Sequence, residues 1–188
     1  MTRLFVAVAP PSDVVERLEG YVGPRRDAVP GWRWSAPENW HITLAFLGEV
    51  DDESSARFVE TVRAASPAEG FPVRMGGAGF FGDFKSGAPV GRQVWLGCRQ
   101  GADELAALSA KARQAASRSG VKVDGGKFTP HLTLARCSHP APVRGLLEVV
   151  DSFGDFDWTA DGCALYSSTL TPTGPIYRAV ADFPLAQA

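Results

Sequence analysis

The chain has 188 residues, 45% hydrophobic and 21% charged, with a formal net charge of -2 at pH 7. That length suits one domain or two small lobes sharing a buried core, and the composition argues against a disordered or membrane class. The slightly acidic balance argues against a protein that grips long nucleic acid by neutralising its backbone, since such domains are basic. It leaves room for recognition of a single phosphate group.

Arg3 to Ala9 alternates around apolar residues and stops at Pro10 and Pro11, which predicts a first strand. The apolar run Leu4 to Pro11 lacks the length and the cleavage site of a signal peptide. Ser12 offers an N-cap, and Val14, Val15, Leu18, Tyr21 and Val22 recur at helical spacing until Gly23 and Pro24. A connection rich in tryptophan (Trp32, Trp34, Trp40) leads into a strand from His41 to Leu47 that ends at Gly48. Asp51 to Ser66, with acidic residues first and a stripe of Phe58, Val59 and Val62, predicts a second helix.

Phe71 to Phe84 reads as a strand running into a glycine-rich loop, and Arg92 to Cys98 as another strand. Ala102 to Ser119 is the clearest helix, with Leu105, Leu108, Ala112 and Ala115 on one side and Gly120 as its stop. A second histidine strand covers His131 to Arg136, and Pro142 to Val150 predicts a fourth helix. The tail, Phe156 to Ser167 and Ile176 to Phe183 around Pro172, Thr173 and Gly174, reads as a closing hairpin. Strands and helices in this order point to a duplicated α+β unit.

The residues that carry chemistry form an internal repeat. His41-Ile42-Thr43-Leu44-Ala45 returns as His131-Leu132-Thr133-Leu134-Ala135, 131 − 41 = 90 positions later. On a strand, His and Thr share one face while the aliphatic residues take the other. Two such faces meeting across a cleft suit in-line displacement at phosphorus: one imidazole takes a proton from water and the other gives one to the leaving oxygen. The threonine hydroxyls can hold the phosphoryl oxygens. Histidine suits both tasks, because its ordinary pKa of about 6.5 lets either protonation state exist near neutrality.

The paired motifs in "NWHITLAFLGEV" and "FTPHLTLARC", with "RLFVAV", "QVWLG" and "LYSSTLTPTGPIY", resemble the 2H phosphoesterase superfamily, and within it the RNA 2′,3′-cyclic phosphodiesterase (2′-5′ RNA ligase-like) branch. The resemblance implies an α+β fold: two pseudo-symmetric lobes, each an antiparallel sheet backed by helices, with both motifs in a central cleft. Residues 1–188 would form this one bilobal domain. It also implies hydrolysis of 2′,3′-cyclic phosphate to 2′-phosphate without a metal. His41 would be the acid for the 3′ oxygen and His131 the base for water, with Thr43 and Thr133 binding phosphate. Arg136, five residues after His131, matches a position that binds the phosphate region.

Phe46, five residues after His41, matches a position that stacks on the terminal base. A separation of five is odd, so strict alternation would put Phe46 and Arg136 on the faces opposite their histidines, and a bulge would be needed to bring them back. For Phe46 a place in the core stands beside the stacking role. Arg136 interrupts an apolar face, where an arginine needs a partner.

Other signals are weaker. Gly77 to Gly82 matches GxGxxG, but Asp83 to Pro89 after it is loop chemistry rather than the start of a helix. His131, Cys137 and His139 share a strand but lack a fourth ligand, so no metal and no cofactor is expected. His139, before Pro140, is expected in an exposed loop. Cys98, Cys137 and Cys163 contain no CxxC pair and read as small buried hydrophobes in a reducing cytoplasm.

The expected partners are RNA ends or small nucleotides bearing 2′,3′-cyclic phosphate, met by a cytoplasmic monomer without a membrane partner. Joining of RNA ends such as tRNA halves, and a non-catalytic nucleotide- or RNA-binding module, are the alternatives.

Overall fold

A computed structural model describes residues 1–65, 67–123, 125–172 and 174–187. The expected helix end at Ser66 and the hairpin residue Thr173 lie outside the described residues. The chain runs β1 (Thr2–Val8), α1 (Ser12–Val22), β2 (Arg33–Trp34), β3 (Ile42–Val50), α2 (Asp52–Arg63), β4 (Phe71–Lys85) and β5 (Ala88–Gln100). It continues through α3 (Ala102–Arg118), β6 (His131–Pro142), α4 (Arg144–Asp151), β7 (Phe156–Ala160), β8 (Gly162–Thr171) and β9 (Gly174–Pro184).

One antiparallel path, β7-β4-β5-β6-β3-β1-β8-β9, joins the strands, and the short β2 pairs β6 to one side. The two histidine strands meet in its middle, at the pair Ile42↔Leu132. Four strands lie on either side of that seam, so the expected two lobes share one continuous sheet.

The helices follow from apolar stripes at helical spacing. Val14, Leu18 and Val22 are the buried face of α1, and Leu105, Leu108, Ala112, Ala115 and Ala116 that of α3. Asp51 caps α2 by accepting from the Ser54 backbone N–H at 2.8 Å. At α1 the expected cap is corrected: Ser12 is already helical, and Pro11 holds the cap position without a side-chain bond. The helices also exchange halves. The α1 helix leaves β1 yet packs by β7, while α3 leaves β5 yet packs on β3. Each lobe is thus covered partly by the other lobe's chain, which ties their relative placement to the core.

Ile42, Leu44, Leu132 and Leu134 are fully buried beneath the seam. Truncating any of them to alanine would cost about 2–5 kcal/mol.

Three further expectations are corrected. The glycine-rich stretch after Phe71 continues as strand to Lys85, with register shifts around Gly76, Gly77 and Gly82, and turns only at Ser86 and Gly87. A Cβ on Gly79 would lie 2.0 Å from the Trp95 ring, so this glycine makes room for an indole and marks no phosphate loop. The tail segment Phe156 to Ser167 is two strands: β7 pairs β4 in one half, and after Asp161 the chain enters β8 beside β1 in the other. His139 is exposed as expected but lies in β6, whose far end pairs β5 through Ala141 and Pro142. The three cysteines are free and half-buried.

Candidate active site

The seam sets both histidine motifs side by side. The strands touch at this one pair, Ile42↔Leu132, and continuing it by one step in ideal antiparallel geometry would bring His41 level with Thr133 and Thr43 level with His131. The two histidines would then be diagonal neighbours, on the order of 7–8 Å apart at Cα. All four side chains are half-buried, while the alternate residues Ile42, Leu44, Leu132 and Leu134 point into the core.

Both strands contain the bulge that the odd spacing demands. Against β1, Val6 pairs Ala45 and Ala7 pairs Thr43, so Leu44 is extra. Against β5, Val94 pairs Ala135 and Trp95 pairs Thr133, so Leu134 is extra. In each repeat the Leu-Ala pair is buried as two consecutive residues, and the next side chain returns to the histidine face. Phe46 and Arg136 therefore stand on the cleft side. Phe46 is 60% exposed, which removes it from the core.

Each imidazole is held in the same way. His41 Nδ1 lies 2.7 Å from the Asn39 carbonyl, and His131 Nδ1 lies 2.7 Å from the Thr129 carbonyl. A carbonyl only accepts, so both Nδ1 atoms carry hydrogen, and in the neutral rings Nε2 bears the lone pair. The turn behind His41 is fixed in turn by the Asn39 amide, which donates to the Pro175 carbonyl at 3.1 Å.

Their surroundings differ. His41 packs against Phe5 (ring centroids 4.9 Å apart) and edge-on to Tyr177 (5.3 Å). His131 meets Phe81 edge-on at 4.8 Å and Trp95 at 5.7 Å. The Gln93 amide nitrogen is 3.3 Å from His131 Nε2 and 2.6 Å from Thr133 Oγ1.

Loss of hydration pushes the His41 pKa down from 6.5 to about 4, opposed by the Asn39 carbonyl and helped by the charges of Arg136 and His131. The His131 pKa is lowered by the same loss of hydration, again with Arg136 helping and the Thr129 carbonyl opposing. Arg136 lies close enough to act electrostatically on both rings and on the Tyr177 hydroxyl. Burial raises the Tyr177 pKa, which keeps its hydroxyl a neutral donor. A cleft that holds two imidazoles of lowered pKa beside an arginine charge is suited to an anion.

A cavity of about 220 Å³ opens beside His131 and Thr43, with Phe46 on one wall and Phe81 on another, and with Arg113, Lys127 and Phe128 around it. Among the described residues, no three His, Cys, Asp or Glu side chains gather as a metal site. No described helix is long and apolar enough to cross a membrane.

Of the six expected residues, Thr43, Phe46 and His131 line this cavity, Arg136 acts electrostatically on both imidazoles, and Thr133 is joined to His131 through the Gln93 amide. Sequence reasoning missed Phe5, Gln93, Trp95 and Tyr177. The first three alternate with core residues on strands next to the histidine strands, so a pairing of the "RLFVAV" and "QVWLG" segments with the motifs would have found them. Tyr177 ends the "LYSSTLTPTGPIY" segment, but no spacing in the sequence ties it to either histidine.

A family model described as the 2′-5′ RNA ligase superfamily matches residues 10–171. A Thermotoga maritima protein named RNA 2′,3′-cyclic phosphodiesterase is 33% identical over 181 residues, covering 96% of this chain and 94% of its own. An Escherichia coli protein of the same name is 34% identical over 71% of each chain. Among solved structures, one from Thermus thermophilus superimposes with a TM-score of 0.75 at 28% identity, over 97% of each chain. The structure of Escherichia coli LigT complexed with 3′-AMP does so with a TM-score of 0.73 at 27% identity, covering 99% of this chain and 98% of its own.

Proposed function

We propose that this chain, which belongs to the 2′-5′ RNA ligase superfamily, is an RNA 2′,3′-cyclic phosphodiesterase working through His41 and His131. The observation that carries the reading is the matched pair of imidazoles: each is anchored at Nδ1 by the carbonyl two residues before it, and each shares the cleft with Arg136. The phosphodiesterase names of relatives over nearly the full chain support the substrate class.

In this mechanism His131 Nε2 accepts a proton from water as the water oxygen attacks phosphorus in line with the P–O3′ bond. That bond breaks, and O3′ takes the proton held on His41 Nε2, leaving a 2′-phosphate and a free 3′-hydroxyl. Thr43, Thr133 and Arg136 hold the phosphoryl oxygens. Phe46, exposed at the cleft mouth, offers its face to the terminal base. No step draws on a metal.

The acid step needs a proton that His41, its pKa lowered to about 4 by loss of hydration, releases at neutral pH. A phosphate anion about 4 Å from the ring supplies about 4 kcal/mol at an effective dielectric of about 20, or about three decades of proton affinity. Substrate binding thus charges the acid it needs.

The test is turnover of 2′,3′-cyclic AMP in EDTA. Wild type is expected to release 2′-AMP, and His41→Ala and His131→Ala each to lose about 10² to 10⁴ in rate, with a double variant little worse than either. Full activity in a single variant refutes the assignment, and binding without turnover by wild type favours a non-catalytic module. A 5′-hydroxyl in place of water would give a 2′-5′ joined product by the same proton transfers. The ligase description of the matched family keeps that as the second reading.

A further inference from the structure

We propose that Gln93 is a positioning residue for the second His-Thr pair: its amide aims the Thr133 hydroxyl hydrogen into the cleft and occupies the His131 lone pair until substrate and water arrive. This rests on the cyclic-phosphate reading above and adds a residue to it.

Gln93 lies on β5 in ladder register with Arg136 on β6, facing the cleft, half-buried. Because His131 Nδ1 donates to the Thr129 carbonyl, its Nε2 can only accept when the ring is neutral. The group 3.3 Å from it must therefore be the NH₂ end of the amide, not the oxygen. The second amide hydrogen points to Thr133 Oγ1 at 2.6 Å. A hydroxyl has one hydrogen and two lone pairs, so accepting from Gln93 leaves the Thr133 hydrogen free to donate to a phosphoryl oxygen. Without that amide the hydroxyl rotor has no fixed direction.

The two contacts differ in length. The short bond to Thr133 persists, while the long one to His131 yields to an incoming water at little cost.

The pseudo-symmetry of the fold gives the contact its meaning. In the first lobe the matching ladder position, opposite Phe46, is Phe5, and there His41 rests on an aromatic face instead of an amide. Both imidazoles are held alike at Nδ1, and Tyr177 beside His41 and Phe81 and Trp95 beside His131 offer neither Nε2 a polar partner within the ring contacts described. Gln93 on one side and Phe5 on the other make them chemically distinct, as an acid-base pair must be. The other charged or titratable groups described around His131 are Arg136 on its own strand, His41 before β3, and Arg113 of α3 and Lys127 across the cavity.

The experiment compares Gln93→Met, similar in size but without an amide, and Gln93→Glu, which can only accept from Thr133 when ionised. Steady-state kinetics on 2′,3′-cyclic AMP are recorded from pH 4 to 9, with the His131 titration followed by NMR in the free protein. Gln93→Met is expected to raise KM about 3- to 10-fold, the size of one hydrogen bond. It should also move the His131 titration up by about half to one pH unit, since the neutral ring loses its donor. Gln93→Glu should move it further, because a carboxylate favours the imidazolium.

A His131 titration unmoved in both variants overturns the proposal. So does loss of kcat and melting temperature at an unchanged pH profile, which marks a packing role. If wild type fails to open the cyclic phosphate, the function proposed above falls, while the NMR titration of His131 still decides the role of Gln93.

Discussion

Replacing His41 with asparagine should make the protein less sensitive to acid, even though the fold is unchanged. Asparagine keeps an N–H donor near the Nδ1 position, so the bond to the Asn39 carbonyl can be retained while the titrating group is removed. In the folded chain His41 has a pKa of about 4, against 6.5 for the unfolded residue. Between those values the unfolded chain binds a proton that the folded chain refuses. Stability is therefore fully present above pH 6.5, is lost as pH falls from 6.5 toward 4, and changes no further from this group below about 4.

At about 1.4 kcal/mol per tenfold change in proton affinity, the gap amounts to about 3 kcal/mol. Urea unfolding at steps between pH 7.5 and 3.5 measures it. Wild type should lose about 3 kcal/mol more than His41→Asn over that span, whatever their difference at pH 7.5. Parallel stability curves would mean that His41 is not desolvated, and the electrostatic description of the cleft would be wrong.

Other outcomes follow from the same geometry. The pH profile of kcat/KM, which reports the free enzyme, should be a bell centred below pH 6.5, because burial lowers both imidazoles. The kcat profile should lie at higher pH, since the bound phosphate favours the protonated rings, and coincident profiles would count against an anion between them. Phe46→Ala should change stability by less than about 0.5 kcal/mol, as an exposed side chain, while raising KM for 2′,3′-cyclic AMP. A large drop in melting temperature would return Phe46 to a structural role. Gly79→Ala should destabilise by about 1–3 kcal/mol and depress kcat, because its Cβ would collide with Trp95 beside His131; unaltered circular dichroism and activity would refute that linkage.

Much of this site was legible because chemistry and pattern coincide at His41 and His131. An alternating run fixes which side chains share a face, and the 90-residue repeat brings the two runs into one argument. The parity of Phe46 and Arg136 was the step that alternation alone gets wrong. Its solution was present in the sequence as Leu44-Ala45 and Leu134-Ala135, two consecutive buried residues of which the second is small enough to share the core face.

Other features were hidden because they depend on partners distant along the chain. Gly79 reads as loop chemistry until Trp95 is known to lie across from it. The break at Asp161 reflects a choice between two sheet edges that no local pattern encodes. Gln93 acquires its role only from the pairing of β5 with β6, and Ser12 lost its expected role to a proline that already closes the helix start.

The central claim is that one phosphorus atom is met by Nε2 of both His41 and His131. Nitrogen-15 NMR of the imidazoles during titration with 2′-AMP tests it most directly, and the third histidine, His139, exposed near the far end of β6, serves as an internal control. The nucleotide should shift the Nε2 resonances of His41 and His131 together, with one saturation curve, and raise the pKa of both, while His139 stays still. Movement of one ring alone, or of neither, would contradict a shared phosphate and with it the two-histidine mechanism.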